Sequence, residues 1–199
     1  MSDNENDRKG AITVTTTLDA ERTELLAELA TVRAAMTNTV RGLTDEQLGQ
    51  RPTVSQLCLG GLIKHVTAVE EGWLRFIIEG PSAMSYEMPE GVTWADFMNG
   101  TAREYPQWAI DRQNQFQMLP GDTLDGILAR YAEAAKRTDE IVSGLPDLSA
   151  TQPLPDAPWH DTGMSQSARR TLLHVIAETA QHAGHADIIR ETIDGQTTT

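Results

Sequence analysis

The stretch Leu172–Glu191, reading LLHVIAETAQHAGHADIIRE, constrains this chain more than any other. It holds no proline, and Gly184 is its one internal breaker, so it is predicted to form a single long helix. His174, Glu178, His182 and His185 follow one another on it at steps of four, four and three. At 3.6 residues per turn, all four fall within an arc of roughly 80°. Three of the chain's five histidines and one carboxylate therefore share a stripe that otherwise includes Ile189. Imidazole and carboxylate on a core-facing stripe are costly to bury without a partner. A bound metal ion is the simplest partner.

The rest of the sequence limits which ion sites and which functions are open. The chain has 199 residues and a net charge of −13, which suits one domain and argues against nucleic acid and anionic membrane surfaces as partners. No apolar run approaches the roughly 20 residues of a membrane span, and the polar N-terminus lacks the order of a secretory signal. Cytoplasmic residence is expected. Cys58 is the only cysteine, so no intrachain disulfide, CxxC pair or cysteine-held zinc is available. Metal ligands must be nitrogen and oxygen, and any thiol chemistry beyond Cys58 needs a thiol from outside. Cys58 itself reads as a plain buried residue.

Apolar spacing divides the chain into helices. Residues 1–16 are polar and then threonine-rich, and are predicted to be a disordered tail. From Leu18, the residues Leu25, Leu29, Val32, Met36 and Val40 step by three or four up to Gly42. Thr44 and Gln47 form a capping-box pattern for a short helix. A second long helix is predicted over 55–78, with Leu62, Val66, Val69, Trp73 and Phe76 on its apolar face and His65 beside that face. Gly60 and Gly61 weaken its first turn or mark a close approach, and Glu70–Glu71 reads as solvated, with Glu70, about one and a half turns beyond His65, alternatively a partner behind that histidine. The region from Thr93 to Met118 is predicted to be helical in pieces around Pro106. A further helix starts at Thr123, with Leu124, Ile127, Tyr131, Ala135 and Ile141 inward. Residues 144–163 hold four prolines with Trp159 and His160, and read as a long loop of the kind that often serves as a lid. No β-alternation is present. The fold class is all-α, a bundle of four main helices with additional short ones.

Glu178 and His182, four apart, present their side chains on the same side of the helix. A third ligand must come from another helix, and His65 is the natural candidate. Three protein ligands with open positions is the arrangement of a catalytic site. The set His65, Glu178, His182 suits Zn2+, and also Fe2+, Ni2+ or Mn2+. The register stays open: His174 with Glu178 has the same spacing, so His174 is an alternative ligand, and His185 reads either as a catalytic base or as a hydrogen-bond partner behind the ligands.

These two helices resemble those of the DinB/YfiT-like metalloenzyme superfamily, which places one ligand histidine on a long helix and two ligands four apart on the C-terminal helix. LIKHVTAVEEGWLRFII matches the first and LLHVIAETAQHAGHADIIRE the second. Most of the superfamily carries His and His at the pair; its mycothiol-dependent branch, which includes maleylpyruvate isomerase and mycothiol S-transferases, carries Glu and His, as Glu178 and His182 stand here. The resemblance implies a DinB-like four-helix bundle of up-down-down-up order over 17–194, with a frayed tail over 195–199. It implies a divalent metal and a low-molecular-weight thiol cosubstrate attacking an electrophilic small molecule. The isomerase carries a further C-terminal domain for which this chain has no room, so S-transfer is favoured over isomerisation; a non-catalytic bundle binding a metal or small ligand is the other alternative. Trp159, Arg190, Asp187 and Arg75 are the candidates for substrate binding at the mouth. Exposed helix faces leave homodimerisation open.

Overall fold

Apolar side chains three and four apart give each long helix one face to bury, and four such helices close the core. The computed structural model describes residues 19–197. The tail predicted over 1–16 lies outside the described residues, as do the last two positions of the tail predicted over 195–199. Helix α1 (Ala20–Asn38) begins where the Asp19 carboxylate accepts the Arg22 N–H at 2.9 Å, and it buries Leu29, Val32 and Met36. Gly42, at φ 76°, makes the turn after it that other residues resist. α2 (Asp45–Leu48) opens with the Thr44–Gln47 capping box.

α3 (Leu59–Glu79) starts later than the predicted Ser55. Thr53 Oγ1 accepts the Ser55 N–H and Ser55 Oγ the Leu57 N–H, each at 3.2 Å, so local hydroxyl turns compete with the helix there. The middle third is helical in two pieces. α4 (Trp94–Met98) is closed by a Thr93–Asp96 capping box, and α5 (Gln107–Gln115) follows Pro106. α6 (Leu124–Gly144) is capped by Thr123 and buries Ile127, Tyr131, Ala134, Thr138 and Val142. Ala135 and Ile141, predicted inward, only flank that stripe and are half-buried.

The sequence shows no strand, yet the loop after α6 is tied at its base by a two-stranded antiparallel ribbon. β1 (Thr151–Pro153) pairs with β2 (Ser165–Ser167), Gln152 opposite Gln166. Three-residue strands are too short to show an alternation. α7 (Ala168–Asp194) follows at once, capped by Ser167 and stopped by Gly195 in the left-handed region.

α1 packs on α7 and α6, and α3 packs on the same two. One core layer joins the C-terminal half of α1 (Met36) and of α7 (Ala186, Ile189) to the N-terminal half of α3 (Leu62, Ile63, Val66) and of α6 (Ile127). The other joins the opposite halves, through Leu29, Leu172 and Val175 on one side and Leu74, Ile77 and Val142 on the other. α1 and α7 therefore run one way and α3 and α6 the other, an up-down-down-up bundle. Among the described residues, no helix is long and apolar enough to cross a membrane.

Glu70, read as solvated from the Glu–Glu pair, is fully buried. Its carboxylate takes both the Nε and an Nη of Arg33, itself 8% exposed, while Arg33 Nη1 reaches Asp139 at 2.9 Å. Burial works against the Arg33 charge, but Glu70 and Asp139 outweigh it and raise its pKa above the ordinary guanidinium value. A lone charge left in this core is expensive. Glu70→Ala is expected to lower stability by about 3–5 kcal/mol, and replacing Arg33 and Glu70 together by Met to cost much less. Urea unfolding followed by circular dichroism tests both.

Candidate metal centre

His65 lies in the second turn of α3 and is 3% exposed. Its Nδ1 stands 3.1 Å from Gln115 Oε1. An amide oxygen only accepts, so Nδ1 carries the proton and Nε2 keeps a free lone pair. Phe116 stacks on the ring at 4.0 Å and 28°, and the His182 ring meets it edge-on at 4.9 Å. On α7, His182 Nε2 is 3.6 Å from Glu178 Oε2. His65, Glu178 and His182 each offer one ligand atom, and these atoms all lie within 4.8 Å of one another. Ligand atoms about 2.0–2.2 Å from one ion stand roughly 3–3.5 Å apart. The donor set fits a divalent cation after small side-chain rotations. The Glu178 side chain is 30% exposed against 13% for His182, so the open side is that of the carboxylate.

Two glycines let the middle third reach this point. A Cβ on Gly61 would lie 2.2 Å from the Phe116 carbonyl oxygen, and one on Gly60 would lie 2.2 Å from Met118 Sδ. Residues 116–118 therefore cross the first turn of α3, and at Gly61 the neighbouring backbone stands at a distance only glycine permits, whereas at Gly60 the Met118 side chain could move aside. Lys64 Nζ donates to Gln117 O at 2.9 Å, and the Cys58 thiol to Phe116 O at 3.7 Å, holding the crossing in place. Cys58 is buried. Backbone is the obstacle at Gly61, so Gly61→Ala is expected to cost about 1–3 kcal/mol and to detach Gln115 from His65. The His65 imidazole resonances, followed by NMR across a pH titration, should shift in that variant.

Burial pushes the His65 pKa down to about 4. The Gln115 bond opposes this, His182 and Arg112 add to it, and Glu178 opposes it. His174 and His182 are lowered as well, again chiefly by burial, with Glu178 opposing. All three imidazoles are neutral at pH 7, the form that can ligate. Their folded pKa values lie below the ordinary value of 6.5, so the unfolded chain binds more protons at intermediate pH. Stability of the metal-free protein is expected to be full above about pH 7 and to fall as pH drops from about 6.5 toward 4. Urea midpoints at pH 7.5 and 5 measure this, and His65→Asn should flatten the dependence.

The remaining candidates from the sequence are placed variously. His174 Nε2 is 4.0 Å from the other Glu178 oxygen, and its ring packs on Trp73 at 4.8 Å, outside the three-ligand group. His185 Nδ1 stands 3.4 Å from His182 Nδ1, the nitrogen turned away from Glu178. Asp187 is half-buried on α7. Arg190 is not at a mouth. It is 3% exposed, and it binds the carbonyls of Thr39 and Arg41 at 2.9 and 3.0 Å and Asp194 at 2.9 Å, clamping α7 to the end of α1. Arg75 also lies away from the centre. It pairs with Glu79 at 2.9 Å and lines a groove of about 400 Å³ between α3 and α6, on the other flank of α3. Trp159 joins a cluster with Tyr86, Trp94 and Trp108. Gln115, Phe116 and Arg112, all from α5 and its end, were not among the candidates. Their only sequence signal is the spacing i, i+3, i+4 on a short helix.

No curated protein matches the chain. The sequence profile of one family, described as Mycothiol-S-transferase, matches residues 24–195, a span that includes all three ligand-type side chains and every element from α2 onward. The chain therefore belongs to the mycothiol S-transferase family of DinB/YfiT-like proteins.

Proposed function

We propose that this protein is a metal-dependent S-transferase that joins a low-molecular-weight thiol, mycothiol in the first instance, to an electrophilic small molecule in the cytoplasm. The convergence of His65, Glu178 and His182 carries the reading. The chain's single thiol is buried Cys58, so the reacting sulfur comes from a cosubstrate. Two neutral imidazoles and one carboxylate leave a divalent ion with one net positive charge. Zn2+ suits the donor set best, with Ni2+, Fe2+ and Mn2+ as alternatives. Such an ion supplies a lowered pKa for a thiol at the centre, favouring the nucleophilic thiolate at neutral pH.

The chain's own side chains prepare that step. Gln115 holds His65 in the tautomer that presents Nε2. His185 lies against the rear nitrogen of His182. With His182 Nδ1 donating there, His185 orients His182, which favours its reading as a hydrogen-bond partner behind the ligands over that of catalytic base. His174 stands at the open side, 33% exposed by side chain and 4.0 Å from Glu178, where it can take the thiol proton and pass it to water. The sulfur then attacks the acceptor carbon from the side of Glu178; the C–Cl bond of a chlorinated acceptor breaks to release chloride, or the C–O bond of an epoxide breaks and its oxygen takes up a proton.

Purified protein is expected to hold about one divalent ion per chain by elemental analysis, and Glu178→Ala to reduce occupancy at least tenfold, as loss of one of three ligands does. Incubation with mycothiol and a chlorinated or epoxide acceptor should yield the S-conjugate by mass spectrometry, and His174→Gln should slow its formation without loss of metal. Metal binding without any conjugate would point to a carrier or sensor. A wild-type protein with no metal would end the proposal.

A further inference from the structure

The S-transfer reading leaves the acceptor open, and α5 narrows it. Trp108, Arg112 and Gln115 stand at i, i+4 and i+7, within about 60° of one face of that helix. Gln115, at one end of this face, touches His65 at 3.1 Å. Trp108, about 10 Å away by helix rise, lies in an aromatic cluster with its ring 6.2 Å from Trp159, 5.9 Å from Trp94 and 5.3 Å from Tyr86. Trp159 reaches there from the proline-rich loop and remains 47% exposed. The Trp108 indole N–H is shielded from solvent and has no acceptor among the described residues.

Arg112 lies between the two ends and is exposed. Arg22, Arg33, Arg75, Arg130, Arg169 and Arg190 pair with carboxylates, whereas Arg41, Arg51, Arg103, Arg137 and Arg170, like Arg112, have no such pair among the described residues; what sets Arg112 apart is its place between His65 and the tryptophans. Its charge is felt at His65 and His182 on one side and at Tyr86 on the other. A cation left unpaired between a reactive centre and a platform of π-faces is suited to a ligand that brings the missing anion and a planar group together.

We infer that this face of α5 binds the acceptor, and that the acceptor is a planar aromatic or conjugated electrophile bearing a carboxylate or similar anion. Its ring lies against Trp108 and Trp159, its anion is held by Arg112, and its electrophilic carbon extends to the metal centre. For a conjugated enone acid, the thiol sulfur forms a bond to the β-carbon, the alkene π pair moves toward the carbonyl, and the α-carbon takes up one proton. The addition needs no leaving group and no oxidant. The inference rests on the transferase reading, but binding can be tested without turnover.

The binding probes are 4-nitrobenzoate and its methyl ester, titrated without thiol and read as quenching of tryptophan fluorescence. The acid is expected to bind about tenfold more tightly than the ester, in zinc-loaded and in chelated protein alike. Arg112→Gln should abolish that preference while leaving the thermal midpoint unchanged. Trp159→Ala, at an exposed position, should weaken both probes. Equal binding of acid and ester overturns the inference. So does an acid preference that vanishes on chelation, because the anion would then sit on the metal. With mycothiol present, 3-benzoylacrylate should be conjugated with a higher kcat/KM than its ethyl ester, and Arg112→Gln should bring the two together. Conjugation without discrimination overturns the acceptor assignment and leaves the transferase reading standing. The binding pattern without conjugation does the reverse.

Discussion

The antiparallel packing of α3 against α7 is the contact on which the centre depends. It brings His65, from the start of one helix, beside His182, from the second half of the other, with rings 4.9 Å apart. Leu62 and Val66 bracket His65 on α3, Ala183 and Ala186 follow His182 on α7, and all four belong to the same core layer. Small residues on α7 let the helices approach there, and the apolar area buried on both sides of the polar pair supplies the stabilisation that polar groups in a core give up. Loss of that packing would separate ligands that share no stretch of sequence.

The bundle holds polar groups in its interior in two different ways. Arg33 and Glu70 form a closed pair, with the guanidinium donating to carboxylate oxygens and nothing left over for a ligand. His65, Glu178 and His182 form an open set. The His65 proton is used by Gln115, while His182 Nε2 stands 3.6 Å from Glu178 and the ligand-type atoms of all three residues face one another within 4.8 Å. A satisfied ion pair serves the fold, whereas a set of acceptors facing one another invites a cation. The distinction lies in hydrogen bonding and not in burial, since Glu70 is more deeply buried than Glu178.

Much of the architecture was legible beforehand because it repeats with the helix period. The four long helices, the Thr44 and Thr93 caps and the break at Pro106 follow from local chemistry, and the structure contains them. The errors have a common cause. Glu70 looked solvated because a Glu–Glu pair usually is, and its Arg33 partner stands 37 positions away. Arg190 looked like a ligand-binding cation because its partners are carbonyls at the end of α1, which no side-chain pattern announces. The β1–β2 ribbon was invisible because its pairing, not its residue types, defines it.

Spacing alone puts Glu178 and His182 on one helix face, since covalent geometry and helix pitch leave no alternative. The residue count also excludes a cluster of cysteines beside them, since the chain has one. Tertiary structure decided which histidine joins them, and that Gln115 and Phe116 dress it. It also decided that Arg112 stands between that centre and a cluster of tryptophans. The placement of Gln115, Phe116 and Arg112 depends on a backbone crossing at Gly60 and Gly61, where the space left by two absent Cβ atoms admits residues 116–118. Helix periodicity is a property of neighbours in the chain; a close approach between distant segments is a property of shape, and only the folded molecule has one.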